Sequence, residues 1–133
     1  MVCLSLISKM KVIKTVVGKV VRGTSQGKKI GFPTVNIMTD AIELPFGVYA
    51  ARVATPFGVY KGALHYGPRQ ILNLPEPLLE VHLLDFSGDL YDEEVKIEIL
   101  SKIRDTQDFL TMEALQQQIS LDIEEVRKLS IQL

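Results

Sequence analysis

The sequence predicts a mainly β domain, in which six antiparallel strands close into a barrel and one C-terminal α-helix packs against the outside. Six segments rich in β-branched and aromatic residues follow one another with mostly short connections. Only the last segment of the chain shows apolar residues at helical spacing. An open sheet would leave two strand edges unpaired, so closure into a barrel is the arrangement that hides them.

The predicted strands are separated by glycine, proline or polar turn residues. They cover residues 12–22, 34–38, 47–55, 58–66, 78–86 and 94–100. Gly18 interrupts the first of them and suggests a bulge or a bend, since a glycine contributes no side chain to a strand. Residues 55–58, with Pro56 in second position, suit a tight turn between the third and fourth strands.

The predicted helix begins after Thr111, whose hydroxyl is suited to cap a helix N-terminus. Glu113 in the first turn, and Arg127 and Lys128 near the end, complement the helix dipole. The apolar residues at helical spacing are Leu115, Ile119, Ile123 and Val126. We interpret this stripe as the face that docks on the barrel rather than as a surface for a partner protein.

Length and composition fit a single globular domain. The chain has 133 residues, of which 47% are hydrophobic and 23% are charged. Fifteen basic and sixteen acidic residues give a formal charge of −1, which predicts neither a nucleic-acid partner nor a membrane surface. The single cysteine, Cys3, excludes an intramolecular disulfide and fits a reducing compartment. We therefore expect a cytoplasmic protein. We also expect it to be a monomer.

The N-terminal residues are interpreted as lying outside the core fold. Their apolar stretch is too short to span a bilayer and has no basic lead-in, so it does not resemble a secretory signal. Met10 and Lys11 would make a natural start of the domain. The predicted organisation is an N-terminal extension over residues 1–11, which need not be ordered, and a barrel domain over residues 12–133.

The stretch "GKKIGFPTVN", residues 27–36, carries more chemistry than a turn requires. It fails the spacing of a Walker phosphate loop, because Gly27-Lys28 is followed by a second lysine. Closely spaced glycines with lysines between them can still expose backbone N–H groups to a phosphate. By pattern alone such a glycine-basic loop is more often an ordinary turn than a phosphate site.

Thr34 and Asn36 are candidate metal ligands. If Thr34 begins a strand, both side chains project from one face while Val35 points the other way. A hydroxyl and an amide oxygen are hard ligands, and Mg²⁺ often takes few protein ligands when nucleotide phosphates supply the rest. The alternative is a turn hydrogen bond from Thr34 and a strand-end cap from Asn36, which the pattern by itself favours.

The segment "LLEVHLLDF", residues 78–86, places Glu80 and His82 among apolar neighbours on one strand face. A carboxylate there could have a raised pKa and act as a general base, or it could hold a hydroxyl nucleophile in line. The alternative is an exposed sheet face with ordinary polar residues, which we prefer for His82. For Glu80 the pattern does not decide.

The order of the motifs resembles the riboflavin kinase (flavokinase) family over residues 12–128. The matching blocks are "GKKIGFPTVNI", "LPFGVYAARV", "LEVHLLDFSGDLY" and "IRDTQDFLTMEALQQQISLDI". The resemblance implies a six-stranded barrel with a C-terminal helix. It also implies transfer of the γ-phosphoryl group of ATP to the 5′-hydroxyl of riboflavin, giving FMN and ADP.

The same resemblance implies a role for individual residues. The implied nucleotide-binding residues are Gly27, Lys28, Gly31, Thr34 and Asn36. Thr34 and Asn36 match the pair that holds Mg²⁺, and Glu80 matches the catalytic carboxylate that activates the riboflavin hydroxyl. Arg104 falls in the segment that closes over the flavin.

The chain departs from the family pattern at three places. Val35 stands where the family usually has alanine, and Asp92 where a glycine is common. The segment 65–78 lacks the family's usual P-T-F-like run, so no ligand contact is assigned within it.

Bacterial relatives usually carry an FMN adenylyltransferase module, and we expect a stand-alone kinase domain without FAD synthesis. The departures leave a second hypothesis, a catalytically silent flavin- or nucleotide-binding barrel with a regulatory role.

Overall fold

The computed structural model describes residues 11–22, 34–40, 42–69, 71 and 74–133. Six strands and one helix lie within these ranges. They are β1 (Lys14–Val21), β2 (Thr34–Met38), β3 (Gly47–Thr55), β4 (Gly58–Arg69), β5 (Leu74–Leu83), β6 (Glu94–Arg104) and α1 (Met112–Lys128). The predicted extension over residues 1–11 lies outside the described part except for its last residue.

The strands form a closed antiparallel barrel in the order β1-β2-β5-β4-β3-β6, and β6 pairs with β1 to complete the ring. This confirms the predicted fold class. The predicted bounds of β2 and β3 match the structure, whereas β4 continues to Arg69 and β5 runs from Leu74 to Leu83. Asp85, two residues beyond the end of β5, has a positive φ of 60°, which no regular strand contains. The chain therefore leaves the sheet earlier than the apolar pattern indicates.

Two apolar clusters lie on the two faces of the sheet. The barrel interior contains alternate residues of each strand, including Val35 and Ile37 from β2 and Val81 from β5. Val35 points inward, so its difference from the family's usual alanine affects packing, as expected. The second cluster lies outside the barrel, where strand residues such as Ala63 meet the helix.

The helix is capped and docked as the sequence predicts. The hydroxyl of Thr111 accepts a hydrogen bond of 3.1 Å from the backbone N–H of Ala114. The four predicted docking residues are buried against the outer face of the barrel. They are Leu115, Ile119, Ile123 and Val126.

Gly18 does not form the bulge that its sequence context suggests. The register between β1 and β6 runs without interruption from Lys14 to Lys19. A Cβ atom at Gly18 would lie 2.5 Å from Cγ2 of Ile37 and 2.8 Å from the carbonyl oxygen of Met38. The glycine is needed because β2 approaches β1 too closely for a side chain.

Asp92 adopts the backbone conformation for which the family commonly uses glycine. Its φ is 70°, in the left-handed region that aspartate tolerates better than most residues. Its backbone N–H donates to the carbonyl of Val20 at 2.9 Å, and its carboxylate lies 2.9 Å from Nζ of Lys19. The loop therefore keeps its connection to β1 despite the departure from glycine.

The helix–barrel contact provides a stability test. Leu115 is fully buried, whereas Leu121 on the same helix is 59% exposed. We expect Leu115→Ala to lower the free energy of unfolding by about 2–5 kcal/mol, because it leaves a cavity. The control Leu121→Ala should change it by no more than about 0.5 kcal/mol. Urea unfolding measures both, and equal losses would contradict the docked position of the helix.

Candidate active site

The pairing of β2 with β5 assembles the predicted site residues on the outer face of the barrel. Asn36 lies directly opposite Glu80, and Thr34 lies directly opposite His82. Thr34 and Asn36 are partly buried and alternate with the inward-facing Val35, so they share one face as predicted. Thr34 and Asn36 from one motif and Glu80 from another are therefore neighbours across two strands.

A buried arginine holds the Glu80 carboxylate. Nε of Arg69 donates to Oε1 of Glu80 at 2.7 Å, and Nη2 of the same guanidinium donates to the same oxygen. His65 is the residue directly opposite Glu80 on β4, and its Nδ1 lies 4.0 Å from Oε1. All three side chains are buried, so Glu80 is not on the exposed sheet face of the alternative interpretation.

The Glu80 carboxyl has a lowered pKa. Burial by itself raises the pKa of this group, but the positive charge of Arg69 and its hydrogen bonds outweigh burial and bring the pKa below its ordinary value. The raised pKa considered from the apolar neighbours is therefore wrong. The strand pattern could not show that a cation is paired with this carboxylate. Because its pKa is lowered, Glu80 is ionised at neutral pH.

His65, Arg69, Glu80 and His82 form a buried polar layer on β4 and β5. Its two histidines are held neutral. Burial and, to a smaller extent, the positive charge of the nearby Arg69 lower the pKa of His65 to about 3. Burial also lowers the pKa of His82, whose Nδ1 lies 3.0 Å from Oγ1 of Thr34. Among the described residues, Nδ1 of His65 and Nε2 of His82 have no hydrogen-bond partner. The preference for an exposed His82 is thus wrong, since the ring is buried beside Thr34.

Arg104 joins the end of β6 to the helix. Its Nε and Nη2 donate to the two carboxylate oxygens of Asp122, each at 2.8 Å, and its Nη1 donates to the carbonyl of Asp105 at 3.0 Å. Gln118 adds a further bond of 3.0 Å to Asp122. This bidentate pair fixes the helix next to the polar layer. Flavin binding by Arg104 stays a prediction.

Arg69 is the site residue that the sequence reasoning missed, because the segment 65–78 departs from the family pattern and was set aside. His65, Gly67 and Arg69 alternate along β4, so they occupy the same face. Gly67 lies between them and has no side chain; a Cβ atom there would lie 3.0 Å from Cγ2 of Thr106. The sequence did contain a signal for Arg69. It alternates with His65 and Gly67 along one strand, and the next strand contains Glu80.

Comparison with known proteins identifies the family. The family model described as "Flavokinase: Riboflavin kinase" matches residues 11–130. The chain belongs to the riboflavin kinase family. It is 39% identical over 109 residues to a bifunctional riboflavin kinase/FMN adenylyltransferase of Haemophilus influenzae, covering 80% of this chain and 35% of that protein. The chain spans between 35% and 50% of the length of three curated relatives that it matches.

Solved structures show the same fold. The riboflavin kinase from Trypanosoma brucei superposes with a TM-score of 0.59 at 28% identity, covering 85% of this chain and 74% of that one. A chain titled macrolide-efflux protein from Streptococcus pneumoniae superposes with a TM-score of 0.75 at 30% identity, covering 86% of this chain and 38% of that one. The barrel with its outer helix is therefore the architecture shared with the riboflavin kinase family.

The donor set at Thr34 and Asn36 fits a magnesium ion that is shared with nucleotide phosphates. Both side chains are neutral oxygen donors on one face, next to the Glu80 carboxylate. Within the described ranges, no cluster of three or more histidine, cysteine, aspartate or glutamate residues could hold a metal ion by itself. The predicted phosphate-loop residues Gly27, Lys28 and Gly31 lie outside the described residues.

A separate cavity of about 380 Å³ opens at one end of the barrel. It includes Leu79 and Ile37, which face the barrel interior, whereas Glu80 and Asn36 face outward. The sheet therefore separates this cavity from the Glu80 carboxylate.

In the part of the chain that the structure describes, the helix is not long and apolar enough to cross a membrane.

The neutral histidines predict how stability depends on pH. An unfolded chain protonates His65 below its ordinary pKa of about 6.5, whereas the folded chain does not until the pH approaches about 3. The unfolded state thus binds more protons in this window, so the free energy of unfolding should fall as the pH is lowered from 6.5. The slope contributed by one such group is at most about 1.4 kcal/mol per pH unit.

Urea unfolding at several pH values between 7.5 and 5 measures this slope. Replacing His65 with Gln should flatten the pH dependence without abolishing it, because the pKa of His82 is lowered as well. Parallel curves for the parent and His65→Gln would show that His65 is not a source of the slope.

Proposed function

We propose that this chain transfers the γ-phosphoryl group of ATP to the 5′-hydroxyl of riboflavin, giving FMN and ADP. The observation that carries the proposal is the position of the Glu80 carboxylate, opposite Asn36 and on the same outer face as Thr34. Glu80, which would bind the acceptor hydroxyl, therefore lies beside Thr34 and Asn36, whose side-chain oxygens are suited to a metal ion shared with the phosphates. Family membership supports the same reaction.

Glu80 serves the reaction by orientation. An ionised carboxylate only accepts hydrogen bonds, so it receives the O–H of riboflavin and directs the oxygen toward the phosphorus. Its lowered pKa makes it a weak base. In the loose transition state of phosphoryl transfer the attacking hydroxyl needs little early deprotonation, so a weak base that accepts the proton late is sufficient.

We assign binding of the ATP phosphates to two groups of residues, one on β2 and one in the loop that contains Gly27, Lys28 and Gly31. Thr34 and Asn36 would hold a magnesium ion, which neutralises the charge on the nucleotide phosphates when bound. Gly27, Lys28 and Gly31 would cover those phosphates through backbone N–H groups and the lysine. Arg104 is assigned to the flavin side, where a contact would use the face of its guanidinium, since its nitrogens donate to Asp122 and Asp105.

The proposed reaction is tested with the purified chain, riboflavin and magnesium-ATP, and FMN is detected by chromatography. We expect Glu80→Gln to lower kcat by about 10²–10⁴-fold, because an amide keeps the shape but cannot accept the proton. Nucleotide affinity should change little, since Glu80 acts on the hydroxyl.

The matched control is Glu98→Gln. Glu98 also pairs with an arginine, Arg52 at 2.9 Å, but lies on β6 across the barrel. Its substitution should leave kcat unchanged. FMN formation by Glu80→Gln at the parent rate would remove Glu80 from the mechanism. A parent protein that binds flavin but forms no FMN would instead favour the silent binding barrel.

The metal assignment has its own test. We expect Asn36→Leu to weaken nucleotide binding in the presence of magnesium, because leucine supplies no oxygen ligand. In a chelator the parent and the variant should bind nucleotide with similar affinity. Isothermal titration in both buffers makes the comparison. An equal loss of affinity with and without magnesium would show that Asn36 contacts the nucleotide by another route.

A further inference from the structure

The Arg69–Glu80 pair is unusual because both charges are buried. Arg69 is 6% exposed and Glu80 is 7% exposed. Removing two charges from water costs several kcal/mol for each ion, and well-packed apolar residues often stabilise a fold at least as well as such a pair. The stability of the barrel alone therefore does not account for this pair, which lies at the proposed reaction centre.

The hydrogen bonds to Glu80 are asymmetric. Both donors of Arg69 end on Oε1. No described residue donates to Oε2, so the second carboxylate oxygen is the one left for the substrate hydroxyl. Two bonds from a planar guanidinium restrict rotation of the carboxylate more than one bond from a flexible ammonium group would.

The pairing of β4 with β5 brings the guanidinium to Glu80. The register shifts between Gly67, which pairs with Leu78, and Arg69, which pairs with Leu74, so four steps along β5 match two along β4. Gly67 has a φ of 145°, a conformation that side-chain-bearing residues rarely adopt. With this irregularity in the pairing, Arg69 reaches Glu80, which lies opposite His65.

Arg69 lowers the pKa of this carboxyl more than any other described residue, and the two histidines that also act on it are held neutral by burial. Besides Arg69, His65 is the one described basic residue that comes within salt-bridge distance of Glu80. Its pKa of about 3 makes it neutral at physiological pH. The orientation and the charge balance of Glu80 therefore both depend on Arg69.

We propose that Arg69 is the positioning residue of the phosphoryl transfer, fixing Glu80 through Oε1 so that Oε2 faces the riboflavin hydroxyl. The inference rests on the proposed function. Arg69 itself touches neither substrate in this proposal and acts only through Glu80. Its removal should lower kcat, while the KM for ATP and the nucleotide affinity stay close to the parent values.

A double-mutant cycle tests this dependence. The four proteins are the parent, Arg69→Met, Glu80→Gln and the double variant, each assayed for kcat and for the KM of both substrates. Since a displacement of about 1 Å can cost about 100-fold in rate, we expect Arg69→Met to lower kcat by about 10–100-fold. In the Glu80→Gln background the same change should have no further effect on kcat.

Arg69→Lys gives a second cycle that does not leave Glu80 without a cation. Lysine keeps the charge but cannot form the two-bond contact, so kcat should fall by about tenfold in the parent and remain unchanged in Glu80→Gln. This variant keeps the inference testable if Arg69→Met does not fold. Arg52→Met, which breaks the matched pair with Glu98, should leave kcat at the parent value.

The possible results distinguish a failure of the proposed kinase function from a failure of the positioning role of Arg69. If the parent makes no FMN, the proposed function fails and the role of Arg69 falls with it. If the parent makes FMN but the effects of Arg69 and Glu80 substitutions multiply, Arg69 acts independently of Glu80 and the positioning role is overturned. Parent-like kcat in Arg69→Lys would also overturn it, because the two-bond contact would then be dispensable.

Discussion

Strand β2 contributes only five residues, yet it is the neighbour of both β1 and β5 in the barrel. Without its pairing to β5 the sheet would have two open edges, and backbone groups on both would lack partners. The same pairing sets Asn36 against Glu80 and Thr34 against His82. Because side chains alternate between the two faces of a strand, a slip of one residue would turn Thr34 and Asn36 into the core.

The outer face of this sheet combines apolar packing with buried charges. The helix covers Ala63, and Ala63 is paired with His82 of the polar layer. Two arginine–carboxylate pairs border this layer, Arg69 with Glu80 and Arg104 with Asp122. Burial keeps the histidines neutral, whereas Glu80 stays ionised against the effect of burial because Arg69 is paired with it.

The charge state of Glu80 decides which kind of catalysis is available to it. A carboxyl group with a raised pKa would be a strong base, and apolar neighbours alone would produce that state. The buried guanidinium gives the opposite result, a well-oriented but weak base. Such a base is adequate for the proposed phosphoryl transfer, because positioning and charge neutralisation account for most of the catalysis of that reaction.

The sequence by itself determined the six-stranded barrel, the outer helix, the shared face of Thr34 and Asn36, and the tolerance of Asp92 for a positive φ. These features follow from local periodicity and from the conformational preferences of single residues. Only the tertiary structure decided that Gly18 serves a close approach of β2 and that Glu80 is paired with Arg69. Close approach and charge pairing depend on which strands become neighbours and in which register, and no local pattern encodes the distance between atoms of separate strands.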